Sequence, residues 1–81
     1  SPSALYAVSR ACFGVSPMAH LHELRMNAAA NLLRNTTYKL DAIASMVGLG
    51  CGFSLSRAFR RFHGTSPREF RSNAFSDRRK N

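Results

Sequence analysis

The stretch Leu55-Ser56-Arg57-Ala58-Phe59-Arg60-Arg61-Phe62-His63-Gly64-Thr65-Ser66-Pro67 has a counterpart fifty residues upstream, Leu5-Tyr6-Ala7-Val8-Ser9-Arg10-Ala11-Cys12-Phe13-Gly14-Val15-Ser16-Pro17. Five positions are identical: Leu5 and Leu55, Arg10 and Arg60, Gly14 and Gly64, Ser16 and Ser66, Pro17 and Pro67. Val8 with Ala58, and Cys12 with Phe62, keep the apolar character. A Gly-x-Ser-Pro run at one distance from one Leu, met twice, reads as two copies of a supersecondary unit. The unit is a helix, a glycine stop and the serine-proline start of the next helix. Serine is a good N-cap, and proline suits the first helical position because its missing N–H is not needed there. Gly14 and Gly64 stand where a left-handed C-terminal residue belongs. Ser1-Pro2 is a third such start, and Glu69, three residues after Ser66, completes a capping box.

Working outward, the spacing predicts an all-α chain with helices at about 2–13, 17–34, 40–47, 51–63 and 67–74. The second carries Leu21, Leu24, Ala28 and Leu32 at helical spacing, and the third Leu40, Ile43, Ala44 and Val47. The third has a weak cap in Lys39, although Asp41 suits its N-terminal dipole. Residues 35–39 are a polar connector, no strand pattern is present, and the polar tail 76–81 is expected to fray. Ala44 and Gly48, four apart, let two helices pack closely around a turn, so helices three and four read as a helix-turn-helix.

At 100° per residue the fourth helix separates into an inner face of Leu55, Ala58, Phe59 and Phe62 and an outer face of Phe53, Arg57, Arg60 and Arg61. The first separates into Leu5, Val8 and Cys12 inward, with Ser3, Tyr6, Ala7 and Arg10 outward. An α-helix fits the DNA major groove, where arginine pairs bidentately with guanine and apolar groups meet thymine methyls. The charge agrees. The 81 residues carry a net +8, from 12 basic against 4 acidic side chains. Eight of the basic residues lie in 51–81, so the positive field is concentrated in the last third. A small domain this basic points to a polyanionic partner.

Other classes are excluded by pattern. The chain is too short for a dinucleotide-binding sheet with a substrate domain. Two cysteines make no disulfide framework and read as reduced and intracellular. His20 and His22 point about 200° apart on a helix, so they share no metal, and no metal or cofactor is expected. The four acidic residues are scattered, with no nucleophile–base spacing, so the chain is not expected to be an enzyme. No stretch is apolar enough to span a membrane. Cys12 reads as core, Cys51 as a bystander at a helix start and His63 as a structural residue at a helix C-terminus.

Residues 15–71 resemble the C-terminal DNA-binding domain of the AraC/XylS family of bacterial transcription regulators. The carrying residues are Ile43-Ala44-x-x-Val47-Gly48, then Ser56 to Phe62, then Gly64-x-Ser66-Pro67-x-Glu69-Phe70-Arg71. Upstream stand Gly14 to Pro17, Leu21, Leu24-Arg25, Ala28 and Leu32-Leu33. The resemblance implies tandem, homeodomain-like helix-turn-helix units joined by a long linker helix. Residues 1–16 would hold the recognition helix of an incomplete first unit, 17–35 the linker helix, 36–75 the second unit with its closing helix, and 76–81 a basic tail. It departs from the family at Ala7, Ser9 and Gly50 to Gly52, and the two helices preceding the first recognition helix are absent.

By position, the resemblance implies that Gly52, Phe53, Ser54 and Arg57 face bases, with Arg57 the direct reader, while Arg60 and Arg61 meet phosphates. In the first unit Ser3, Tyr6 and Ala7 face bases and Arg10 meets phosphate. The two recognition helices would enter successive major-groove segments of double-stranded DNA roughly 34 Å apart. Phe53 is open between a methyl-reading wedge and a contact with a neighbouring helix. The partner expected is double-stranded DNA, in the cytoplasm, for a monomeric or weakly dimeric fragment without membrane contact. The alternative is a basic interaction module docking on RNA polymerase or another protein. A lipid-surface binder is disfavoured by the absence of Trp and the capped, compact helices. The segment 2–13, whose inner face lacks its usual partners, is expected to be the least protected helix.

Overall fold

Four helices follow one another in the computed structural model, which describes residues 16–79: α1 (Pro17–Asn35), α2 (Leu40–Met46), α3 (Gly52–His63) and α4 (Pro67–Arg79). The expectations for residues 1–15, including the whole of segment 2–13 and its site residues, lie outside the described residues.

The stops and starts are local chemistry. Ser16 Oγ accepts the Ala19 N–H at 3.1 Å, and Pro17 opens α1. At the other end Thr36 donates both its N–H and its hydroxyl to the Leu32 carbonyl. α2 starts on Lys39 with no side-chain cap and ends in a left-handed turn at Gly48, where φ is +83°. There the Leu49 N–H reaches back to the Ala44 carbonyl at 2.8 Å, closing the helix end. α3 ends on Gly64, also left-handed, with its N–H on the Arg60 carbonyl. Only glycine adopts these turns without strain.

At α4 the capping box forms by half. Ser66 Oγ accepts the Glu69 N–H at 3.1 Å, but the Glu69 carboxylate turns to the Thr65 hydroxyl instead of the Ser66 N–H. The helix also runs on to Arg79, five residues beyond the expected stop. Ala74 and Phe75 are half-buried. Phe75 lines a shallow cleft together with the connector residues Asn35 to Tyr38.

The core is small: Met26, Ala29, Ala30 and Leu33 of α1, Ile43, Ala44 and Val47 around α2, and Leu55 and Phe59 of α3. Leu32, Leu40, Leu49, Ala58 and Phe70 pack against it. This corrects the face expected of α1. Leu21 and Leu24 are exposed, Ala28 is exposed and only Leu32 joins the core edge. The helix carries two apolar stripes of equal periodicity on nearly opposite sides, and the described helices cover the alanine-containing one. Small side chains there permit close approach of α2 and α3. Phe62 is likewise corrected. It is 42% exposed, and its ring rests edge-on against His22 and His63.

Long-range polar contacts tie the layers. The Arg71 guanidinium of α4 donates from Nε to the Leu33 carbonyl at 3.2 Å and from Nη2 to the Thr36 carbonyl at 3.1 Å. It thereby satisfies carbonyls at the C-terminal end of α1, where a cation is also favoured by the dipole. Arg34 returns the contact by lying over the Phe70 ring at 5.4 Å. Arg71→Ala is expected to lower stability by about 1–2 kcal/mol. A urea midpoint unchanged from the parent chain would refute that role for the guanidinium.

Candidate nucleic-acid interface

The first turn of α3 is set by a residue of α2. The Gly52 N–H, an orphan donor at the helix start, is taken by Asp41 Oδ1 at 2.6 Å. Asp41 therefore serves the following helix as well as its own N-terminal dipole. The contact is possible because residue 52 has no side chain. A Cβ there would come within 2.7 Å of Asp41 Oδ1 and 3.3 Å of the Asp41 backbone nitrogen and Leu40 Cγ. Gly52 is buried. The structure thus removes it from the expected base-facing set: its exposed-face position is taken up by helix packing.

The rest of the set comes together. Phe53 is 71% exposed, and Ser54, Arg57, Arg60 and Arg61 are all exposed on α3. Phe53, Ser54, Arg57, Ala58 and Arg61 line a shallow cleft of about 360 Å³. The Arg57 guanidinium lies over the Phe53 ring, 5.8 Å from its centroid. Phe53 thus touches an arginine of its own helix and is otherwise largely open to solvent. No acidic residue occurs between Asp41 and Glu69 in the sequence, so the three arginines share a face built without carboxylates.

Two supporting residues were not singled out as site residues. Arg25 of α1 lies across the turn, its Nη2 only 3.3 Å from where a Cβ on Gly48 would stand. No local pattern signals this, since the partner turn is 23 residues away. His63 Nε2 stands 3.1 Å from the Met26 carbonyl, and its ring packs against Phe59 at 4.4 Å. That pins the last turn of α3 to α1, a structural role as expected. Cys51, the N-cap residue, makes no side-chain cap bond and is exposed. Its Sγ lies 3.5 Å from Ser54 Oγ, and this bond, with backbone hydrogen bonds at the helix start, holds the thiol below its ordinary range. Among the described residues no group of His, Cys, Asp and Glu is arranged to hold a metal ion, and no helix is long and apolar enough to cross a membrane. Ser3, Tyr6, Ala7 and Arg10 lie outside the described residues.

The comparisons with known proteins meet this geometry. The family model described as a helix-turn-helix domain matches residues 1–73. A putative AraC-like transcription regulator of Streptomyces antibioticus is 38% identical over 71 residues, 88% of this chain. The chain belongs to the AraC-type helix-turn-helix family. The raffinose operon transcriptional regulatory protein RafR of Pediococcus pentosaceus is 35% identical over 71 residues, again 88% of the chain. The transcriptional activator RhaS of Enterobacter sp. (strain 638) is 40% identical over 58 residues, 72% of the chain. The chain spans about a quarter of the length of these curated relatives, from 21% to 26%. No solved structure matches it. In this AraC-type domain α2, the Gly48 turn and α3 form the helix-turn-helix, and the DNA-binding class of the family accords with the basic outer face of α3.

Two outcomes follow for the site. Gly52→Ala is expected to cost about 2 kcal/mol, since backbone as well as side chain must give way. Pairing it with Asp41→Ala should cost less than the sum of the single changes; additive denaturation midpoints would show that the two do not share one contact. Peptide-resolved mass spectrometry of iodoacetamide labelling near neutral pH should find Cys51 alkylated faster than an ordinary thiol. Ser54→Ala should slow it, and an unchanged rate would discount the hydroxyl.

Proposed function

We infer that the chain is the double-stranded-DNA-binding part of a bacterial AraC-type transcription regulator working in the cytoplasm, and that it reads sequence by laying α3 in the major groove. One observation carries this: Phe53, Ser54, Arg57, Arg60 and Arg61 stand together on the exposed face of a helix whose other side is anchored in the core. Arg57, projecting from the middle of that face, is the guanine reader, because a planar guanidinium matches the O6/N7 edge of guanine bidentately. Arg60 and Arg61, further along the helix, meet flanking phosphates. For residues 1–16 the resemblance to a first reading unit assigns Ser3, Tyr6 and Ala7 to bases and Arg10 to phosphate. Support comes from the family membership, from relatives named as transcriptional regulators, and from the charge.

Titration of fluorescent duplex DNA at 50 and 200 mM salt, followed by sequencing of what is retained from a randomised pool, tests the reading. With ~6 phosphate contacts, log K should fall against log salt with a slope of roughly −5. Arg57→Ala should weaken the selected site by about 1–3 kcal/mol and relax one position of the motif. Arg60→Ala and Arg61→Ala should weaken all sequences alike and make the slope shallower. Salt-independent binding, or protein capture that survives Arg57→Ala with Arg60→Ala, would instead favour a protein-docking module such as one for RNA polymerase.

A further inference from the structure

Phe53 and Arg57 are four residues apart on α3, one above the other on its exposed side. The guanidinium lies over the ring, 5.8 Å from its centroid. Among the described residues both groups stand open to solvent: Phe53 is 71% exposed and Arg57 is exposed. The ring is thus the platform that orients the arginine, and the arginine covers one face of the ring. The uncovered part of the ring, beside Ser54 in the cleft, is a large apolar surface in water. Resting on the DNA-binding reading above, we propose that Phe53 is a specificity-determining residue and that the Phe53–Arg57 pair reads a two-base element, a guanine with a thymine beside it.

The lengths fit. The separation of the two groups lies between one and two base steps of ~3.4 Å along a strand. With the guanidinium on the O6/N7 edge of a guanine, the ring therefore reaches the neighbouring pair. In the major groove the single apolar feature of a base pair is the thymine C5-methyl. A phenyl ring offers no hydrogen bond to any other base edge, so burying that methyl is the favourable contact open to it. Gly52, turned into the core against Asp41, leaves no competing side chain one residue before Phe53. The chemistry asked for is a methyl, not thymine as such.

The test uses the full 81-residue chain and the duplex enriched from the randomised pool. Each thymine of the site is replaced in turn by deoxyuridine, which removes only the methyl. One replacement, within two base pairs of the guanine whose loss Arg57→Ala mimics, should weaken binding about fourfold, the worth of one buried methyl group. Phe53→Ala should bind the thymine and deoxyuridine duplexes equally, and Phe53→Leu should restore part of the difference. Because Phe53 lies outside the core, these variants should keep the parent's circular dichroism and thermal midpoint. If the parent chain ignores every thymine-to-deoxyuridine change while keeping its motif and salt slope, the pair does not read a methyl, and the DNA-binding function stands. An equal penalty in Phe53→Ala assigns the methyl to another residue and also overturns the proposal. Absence of an enriched guanine, or of salt-dependent binding, overturns both readings together.

Discussion

One hydrogen bond, from the Gly52 N–H to Asp41 Oδ1, decides where the outer face of α3 points. It joins a helix start to a charged acceptor in the first turn of the preceding helix, and charge-assisted bonds of this type are short and strong. A side chain at 52 would force it to shift, because the would-be Cβ comes within 2.7 Å of the carboxylate oxygen and 3.3 Å of the Asp41 backbone nitrogen. The bond therefore fixes both the distance between α2 and α3 and the rotation of α3 about its own axis. Phe53 and Arg57 are thrown outward and Leu55 and Phe59 inward as a single consequence.

α1 acts as the frame for that arrangement. Its Met26, Ala29, Ala30 and Leu33 form the floor on which α2 and α3 rest. Its backbone carbonyls receive His63 from α3 and Arg71 from α4. His63 is the last residue of α3 and Arg71 lies in the second turn of α4, so α1 is held at its middle and at its C-terminal end. Among the described residues the core has nine buried apolar side chains, and domains of this size are marginal on burial alone. The polar ties supply alignment that the apolar contacts, being non-directional, do not.

Most of the helix boundaries were legible because they are written locally. Ser16-Pro17, Ser66-Pro67 and Gly64 each act within a few residues, and the structure shows two serine caps and a left-handed Gly64. The face of α1 was not legible. Leu21, Leu24 and Ala28 form as good a stripe as Met26, Ala29, Ala30 and Leu33, and periodicity cannot say which stripe a neighbour covers. The length of α4 was missed because the polar residues after Phe75 carry no apolar periodicity to mark the helix as continuing. On α3 the exposed placement of Phe53, Arg57, Arg60 and Arg61 followed from helical spacing alone, and that of Ser54 from the family resemblance. Gly52 was misplaced because its position depends on a carboxylate eleven residues earlier. Arg71 and Arg25 were silent for the same reason: their partners are carbonyls and a turn brought near only by folding.

The two glycines that open α3 carry a consequence for recognition. Gly50 turns the backbone with φ at +82° and projects nothing, and Gly52 is spent on packing. The N-terminal turn of a recognition helix is the part that enters deepest between the groove walls. Here that turn offers Phe53, Ser54 and, one turn on, Arg57, with Cys51 at the lip. A helix with few readers discriminates by the quality of each contact, because every good bidentate pair contributes about 1–3 kcal/mol and a missing one is not replaced. Holding an arginine against an aromatic ring is a way to raise that quality, since a side chain already confined loses less freedom on meeting its base. On the proposed reading of DNA by α3, the narrow outer surface, the stacked pair and the tight α2–α3 junction would be parts of one solution, in which close packing removes side chains from the groove and preorganisation strengthens those that remain.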